Sequence, residues 1–354
     1  MTAPATLGRR QWLRWQLGLA AAVPAWRPGA AVPALGPGAA VPALGPGAAS
    51  QAGATLAWRE RALLGFGTTL WLRAAHAEAG RAERALDEAV GVLRHIERQM
   101  SLFRADSAIV RLNRDGYLPQ PDADLLRVLQ LSRQVAARSG GAFDISVQPL
   151  WAAWQRAQSM GRRPTGSELA QARARVDWRG VHATPAAVRL RPGMALTLNG
   201  IAQGYAAGRV REVLQRQGIA HALLDVGEWQ PMGHSPDGSP WRLGLADPRD
   251  SARVLEHVQS DGRAIAVSTD ATLRFGRDPA DARDHHILDP RSGRSPPHLS
   301  AVAVLAASPA LADALTKVMF MGNADQARAR ARRWGVGVVV VDKRGRVSRD
   351  LGTR

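Results

Sequence analysis

The chain has 354 residues, 45% of them hydrophobic and 22% charged, so it is long enough for a sizeable core and too apolar to stay unfolded. Its formal net charge is +17, but 45 of the 47 basic residues are Arg, and no stretch pairs them densely with aromatics as a nucleic-acid groove would. Cysteine is absent, which excludes disulfides, thiolate zinc sites, cysteine nucleophiles and a lipid anchor on an N-terminal cysteine.

In chain order, Gly8-Arg9-Arg10-Gln11-Trp12-Leu13-Arg14 has the layout of a twin-arginine export signal. The apolar stretch after it, Leu17 to Val23, falls short of the roughly 20 residues a membrane span needs. A signal over 1–26 implies a periplasmic protein without a transmembrane segment; a disordered basic tail on a cytoplasmic protein is the alternative. Pro28 to Gly36 then recurs as Pro37 to Gly45, and a third copy starts at Pro46. Proline in every copy rules out a helix, so 27–57 is expected to be an extended, disordered linker. One folded domain is expected over 58–350.

That domain opens with a predicted strand, Thr68 to Ala74. A helix from about Ala77 to Met100 follows, with Leu86, Val90, Leu93, Ile96 and Met100 on one stripe. Asp122 can cap a second helix running to Ala137, and Ser167 begins a shorter one. Gly204 to Gln217 forms another. Strands fit 188–190, 195–198, 222–226, 241–245, 264–268, 301–305 and 336–341, the last apolar at nearly every position and so expected to be buried on both faces. Strands and helices mix without strict alternation, which predicts an α+β fold of mixed sheets packed with helices.

Four blocks carry the chemistry. Gly140-Gly141-Ala142-Phe143-Asp144 offers a bendable backbone, a flat apolar ring and an acceptor, which suits an aromatic heterocycle or, taken alone, a helix end followed by a strand start with Phe143 in the core. Thr197 to Tyr205 reads as the end of a strand and the start of a helix, where unpaired N–H groups favour a diphosphate. His286-Ile287-Leu288-Asp289-Pro290-Arg291-Ser292-Gly293 joins an imidazole, suited to act as a base or to hydrogen-bond the turn, to an Asp-Pro turn in which Asp289 is expected to cap. Ala312-Asp313-Ala314-Leu315-Thr316 is helix-like and supplies a carboxylate.

This ordered set resembles the ApbE family, the magnesium-dependent FAD:protein FMN transferases, from about Leu64 to about Gly322. The resemblance implies transfer of FMN from FAD to a Thr or Ser hydroxyl of an acceptor protein, with AMP released. It implies His286 as the base, and flavin or FAD contacts at Phe66, Phe103, Ala142, Phe143, Asp144, Thr197, Gln203 and Ile287. It also implies Mg²⁺ at the Gly200 carbonyl, Asp313 and Thr316. The Asn199 to Gly204 stretch with Val226-Gly227-Glu228 is most similar to periplasmic members linked to nitrous-oxide reductase maturation. Family acceptors carry a short Asp-Gly-x-Ser/Thr-Gly-Ala/Ser-Thr motif; this chain has none, so its partner is another protein. Four departures stand out: Thr197 for Asp, Gln203 for Lys, Asp270-Ala271 for Ser-Gly, and Lys317 where the family has a second oxygen donor. An ammonium cannot ligate a cation, so either Thr316 or water completes the shell, or Lys317 contacts the phosphates itself, or the metal site is lost. Two other readings stay open, a flavin-binding protein without transferase activity and an FAD pyrophosphatase giving FMN and AMP.

Overall fold

The computed structural model describes residues 55–275 and 283–352. The twin-arginine-like segment and the repeat, and so nearly all of the expected linker at 27–57, lie outside these residues. Eight strands form one antiparallel sheet: β1 (Ala57–Gly65), β2 (Thr68–His76), β6 (His221–Asp225), β7 (Trp229–Met232), β10 (Ala264–Thr269), β11 (Leu299–Ala306), β12 (Gly337–Asp342) and β13 (Val347–Asp350), in that spatial order. A small sheet combines β3 (Tyr117–Pro119), β4 (Val181–Ala183) and β5 (Ala187–Leu190), and β8 (Arg242–Ala246) pairs with β9 (Val254–Gln259).

The helices are α1 (Ala79–Met100), α2 (Ala108–Asp115), α3 (Ala123–Arg138), α4 (Gln148–Ser159), α5 (Gly166–Arg173), α6 (Ala202–Arg216), α7 (Pro309–Phe320) and α8 (Ala324–Trp334). In α1 the stripe continues through Ala82, Ala85, Leu86, Ala89, Leu93, Ile96 and Met100, all buried, so its small residues let the helix lie close on the sheet. The central strands feed two cores. Along β12, Val338 and Val340 join the helix-side core while Val339 and Val341 face a second core. That second core holds Trp229, Trp241, Leu243, Leu245 and Val258, so the β8–β9 hairpin covers the face an antiparallel sheet often leaves to water. The apolar run at 336–341 is therefore buried on both faces, as expected.

Two expectations on elements fail. Residues 195–198 form no strand, because the Asn113 side chain stands in for a partner strand. Its Nδ2 donates to the Leu196 carbonyl at 2.8 Å, and its Oδ1 accepts from the Leu196 N–H at 2.7 Å. The domain also opens one strand earlier than expected, with β1.

Strand connections decide where a site can form. The β1–β2 turn, the β6–β7 turn, the end of β10 and the start of β11 share one edge of the large sheet. Helices α6 and α7 pack on each other beside that edge.

Candidate active site

The β1–β2 turn is a two-residue hairpin in which Phe66 and Gly67 both have positive φ, 52° and 79°. This is the I′ geometry that matches strand twist, and a phenylalanine there is strained. Glu97 of α1 holds it, accepting from the Phe66 N–H at 2.9 Å. A Cβ on Gly67 would lie 2.9 Å from three atoms of the Phe103 ring, so Gly67 lets that ring close over the turn. The Phe103 ring thus lies against the turn that carries Phe66.

Past α3, Gly140 and Gly141 take φ of 62° and 78°, turning the chain so that Ala142 and Phe143 enter the core. The Asp144 carboxylate caps the next helical turn: Oδ1 accepts from the Ser146 N–H and hydroxyl at 2.8 and 2.7 Å, and Oδ2 from the Trp178 N–H at 3.1 Å. Burial pushes its pKa up, and these bonds oppose the shift. In this structure Asp144 positions the loop. The same loop leads into α4, whose Trp154 Nε1 donates to the Gly293 carbonyl at 2.8 Å. Gly293 has φ of 71°, and a Cβ there would sit 2.8 Å from Leu150. The Phe143 and His286 blocks, far apart in sequence, are clamped together through α4.

Within the His286 block the Asp289 side chain caps the turn, accepting from the Arg291 N–H at 3.0 Å. Ile287 is buried in the main core. His286 donates its backbone N–H to the Leu273 carbonyl at 2.9 Å, and its Nδ1 lies 3.4 Å from the same oxygen. A carbonyl only accepts, so this pairing favours the Nδ1–H tautomer and leaves the Nε2 lone pair as a base. Burial, and then the charge of Lys317, hold the imidazole down to about 4, so it is neutral near pH 7.

The α6–α7 contact supplies the charged part of the site. Gly204 lies in the first turn of α6, where a Cβ would come within 2.3 Å of the Pro309 carbonyl oxygen and 2.8 Å of Asp313 Cβ. Without that atom the helices touch, and the Gly204 N–H donates to Asp313 Oδ2 at 3.2 Å. The carboxylate so lies at the positive end of α6. Its Oδ1 accepts from Lys317 Nζ at 2.6 Å. Gly200, in the turn that opens α6, faces both Lys317 and Phe143: a Cβ there would lie 3.1 Å from Lys317 Cε and 3.5 Å from Phe143 Cε2. Thr197 accepts from the Asn199 N–H at 3.3 Å and holds that turn. Gln203 Nε2 donates to the Val226 carbonyl at 3.0 Å, tying α6 to the β6–β7 turn.

That turn carries two carboxyl groups to which the sequence reading gave no role. Glu228 is buried and accepts from the Val267 N–H at 3.0 Å. Burial and the neighbouring Asp313 push its pKa well above the usual range, against the pull of Lys317. Burial pushes Asp225 up to about 6. The only signal in the sequence was an acidic residue in a Gly turn followed by an apolar strand.

The structure thus draws His286, Lys317, Asp313, Gly200, Phe143, Gln203 and Glu228 to one sheet edge. The donors proposed for Mg²⁺ do not fit that ion. Both Asp313 oxygens are engaged, one of them by a cation. Thr316 is fully buried, and its hydroxyl donates to the Asp313 carbonyl at 2.7 Å and pairs with the Ser268 hydroxyl, also at 2.7 Å. A divalent cation wants inward-facing oxygens with no competing positive charge. Among the described residues the cluster dense enough in metal-ligating side chains is His95, Asp122 and Asp124. There Tyr205 donates to Asp124 at 2.6 Å, and Arg127 and Arg209 pair with Asp124, which makes it a charge network joining α1, α3 and α6.

The α+β domain thus gathers a neutral imidazole, a Lys–Asp pair and a glycine-opened helix start on one edge of its sheet, a set able to hold an anionic group. The chain belongs to the ApbE family, whose model matches residues 66–340. It is 26% identical to the FAD:protein FMN transferase of Salmonella typhimurium over 258 residues, covering 70% of this chain and 73% of that one. It is 32% identical to the protein of the same name from Vibrio cholerae, covering 66% of this chain and 72% of that one. Its fold matches the ApbE protein of Thermotoga maritima with a TM-score of 0.74 at 22% identity, covering 83% and 97% of the two chains. It also matches the Pseudomonas stutzeri flavinyl transferase ApbE, with a TM-score of 0.70 at 27% identity, covering 83% and 95%.

Proposed function

We propose that this chain is an FAD:protein FMN transferase. The supporting observation is the neutral imidazole of His286, its Nδ1 set against the Leu273 carbonyl, in the field of the Lys317–Asp313 pair. The Ser or Thr hydroxyl of an acceptor protein gives its proton to Nε2 as its oxygen bonds to the flavin-side phosphorus of FAD. The bond from that phosphorus to the bridging oxygen breaks, and the bridging oxygen leaves on AMP. A well-placed base contributes on the order of 10²–10⁴-fold. Phe103, half-buried beside the β1–β2 turn, offers apolar surface for the flavin, and the buried Phe66 and Phe143 back the site from the core. The positive end of α6 and the Lys317 ammonium lie where the diphosphate charge would be placed.

We further place the folded domain in the periplasm, on the strength of Arg9-Arg10 and the short apolar stretch after them. The activity test is to incubate the full chain with FAD and a peptide bearing Asp-Gly-x-Ser/Thr-Gly-Ala/Ser-Thr, then follow peptide mass and AMP. FMN on the peptide with equimolar AMP supports the transferase. AMP without labelled peptide identifies a pyrophosphatase instead, and FAD binding with neither product identifies a flavin-binding protein.

A further inference from the structure

In a chain with 45 arginines, lysine appears only at 317 and 343. Where Arg serves nearly every positive charge, both lysines are seated on buried carboxylates, Lys317 on Asp313 and Lys343 on Asp270, each at 2.6 Å, an arrangement that suits a compact point charge in preference to a planar fork. Lys317 lies one helical turn after Asp313 on α7, with its Nζ 2.6 Å from Oδ1 and 3.3 Å from the Asp313 carbonyl oxygen. Asp313 is 1% exposed at its side chain and Lys317 is 21% exposed, so the carboxylate is the seat and the ammonium reaches the site. The stem lies against Gly200, where any side chain would press on Cε.

We propose that the Lys317 ammonium, seated on Asp313, is the resident cation of this site and binds the diphosphate of the dinucleotide, so that flavin transfer runs without a divalent metal. This rests on the transferase reading above. Three observations carry it. The position expected to complete a metal shell holds a cation, and that cation occupies one Asp313 oxygen while Gly204 occupies the other. The Thr316 hydroxyl is turned away into a bond with Ser268. An ammonium has three N–H groups; two point to Asp313 atoms, which leaves one for a phosphate oxygen.

The test uses the full chain, stripped with EDTA and passed into metal-free buffer. FAD affinity is read from quenching of flavin fluorescence, and transfer from peptide mass, each with EDTA and with millimolar Mg²⁺. The wild type is expected to bind and to transfer within about twofold in both buffers. Lys317→Thr should weaken FAD binding in EDTA by about tenfold or more, the worth of one charged hydrogen bond. Wild-type binding or transfer that collapses in EDTA and returns with Mg²⁺ would overturn the proposal, whatever the variant does. If no condition labels the peptide, the transferase reading fails, and the binding series still decides the cation: EDTA-insensitive affinity that drops in Lys317→Thr supports it, and EDTA-sensitive affinity refutes it.

Discussion

Replacing Gly204 with Ala tests the close approach on which the charged part of the site depends. The added Cβ would lie 2.3 Å from the Pro309 carbonyl oxygen and 2.8 Å from both the Pro309 carbonyl carbon and Asp313 Cβ. Two of these three are backbone atoms of α7, so no flexible side chain can swing away, and the helices must part by about an ångström. Ala gains up to about 1 kcal/mol over Gly inside a helix. Overpacking of this kind costs about 1–3 kcal/mol. A 2.3 Å contact with backbone belongs in the upper half of that range, about 2–3 kcal/mol, so the balance is a loss of about 1–2 kcal/mol, which in a domain of this size lowers Tm by about 2–8 °C. Separation also stretches the Gly204 N–H bond to Asp313, so FAD affinity should fall with stability. Circular dichroism melting and fluorescence quenching read the two effects. A Tm equal to or above wild type, with unchanged affinity, would mean that α6 and α7 do not meet as described.

Because burial and Lys317 lower the His286 pKa to about 4, the imidazole is protonated only at strongly acid pH. The acid limb of kcat/KM should therefore lie near 4 rather than 6.5 in wild type, and Lys317→Met should move it upward by removing the nearby charge; a wild-type limb at 6.5 contradicts this. Trp154→Phe leaves the buried Gly293 carbonyl unpaired, with an expected loss of about 1–3 kcal/mol in urea denaturation. An unchanged midpoint would show that the clamp between the two blocks is not formed. Changing Arg9 and Arg10 together to Lys should retain the protein in the cytoplasm on fractionation, and undiminished periplasmic protein would remove the export reading.

The parts most legible in the sequence were those where apolar spacing or a fixed turn leaves little choice. The α1 stripe, the two-sided β12 and the Asp289 cap are of this kind. Strand β1 was not legible because it is an edge strand whose Arg59 and Arg61 pair with Glu83 and Asp87 of α1, so charge replaces the apolar alternation that marks a strand. Helix α8, rich in Arg, buries only Ala327 and Ala331 and is fixed by the capping box of Asn323 and Gln326 together with a left-handed Gly335. The His286 block stood out, but its partners did not. Nothing local reveals that Trp154 holds Gly293, or that Glu228 and Asp313 share a neighbourhood, since these contacts join distant segments. Lys317 was visible as a misfit, and only its bond to Asp313 gives the misfit a physical meaning.

The central claim is that the imidazole at 286 accepts the acceptor hydroxyl's proton. The most direct measurement compares wild type with His286→Asn, recording the rate of FMN transfer to the acceptor peptide alongside the FAD dissociation constant. Transfer should fall by about 10²–10⁴-fold with the dissociation constant within about twofold of wild type. A variant that transfers at close to the wild-type rate would contradict the account.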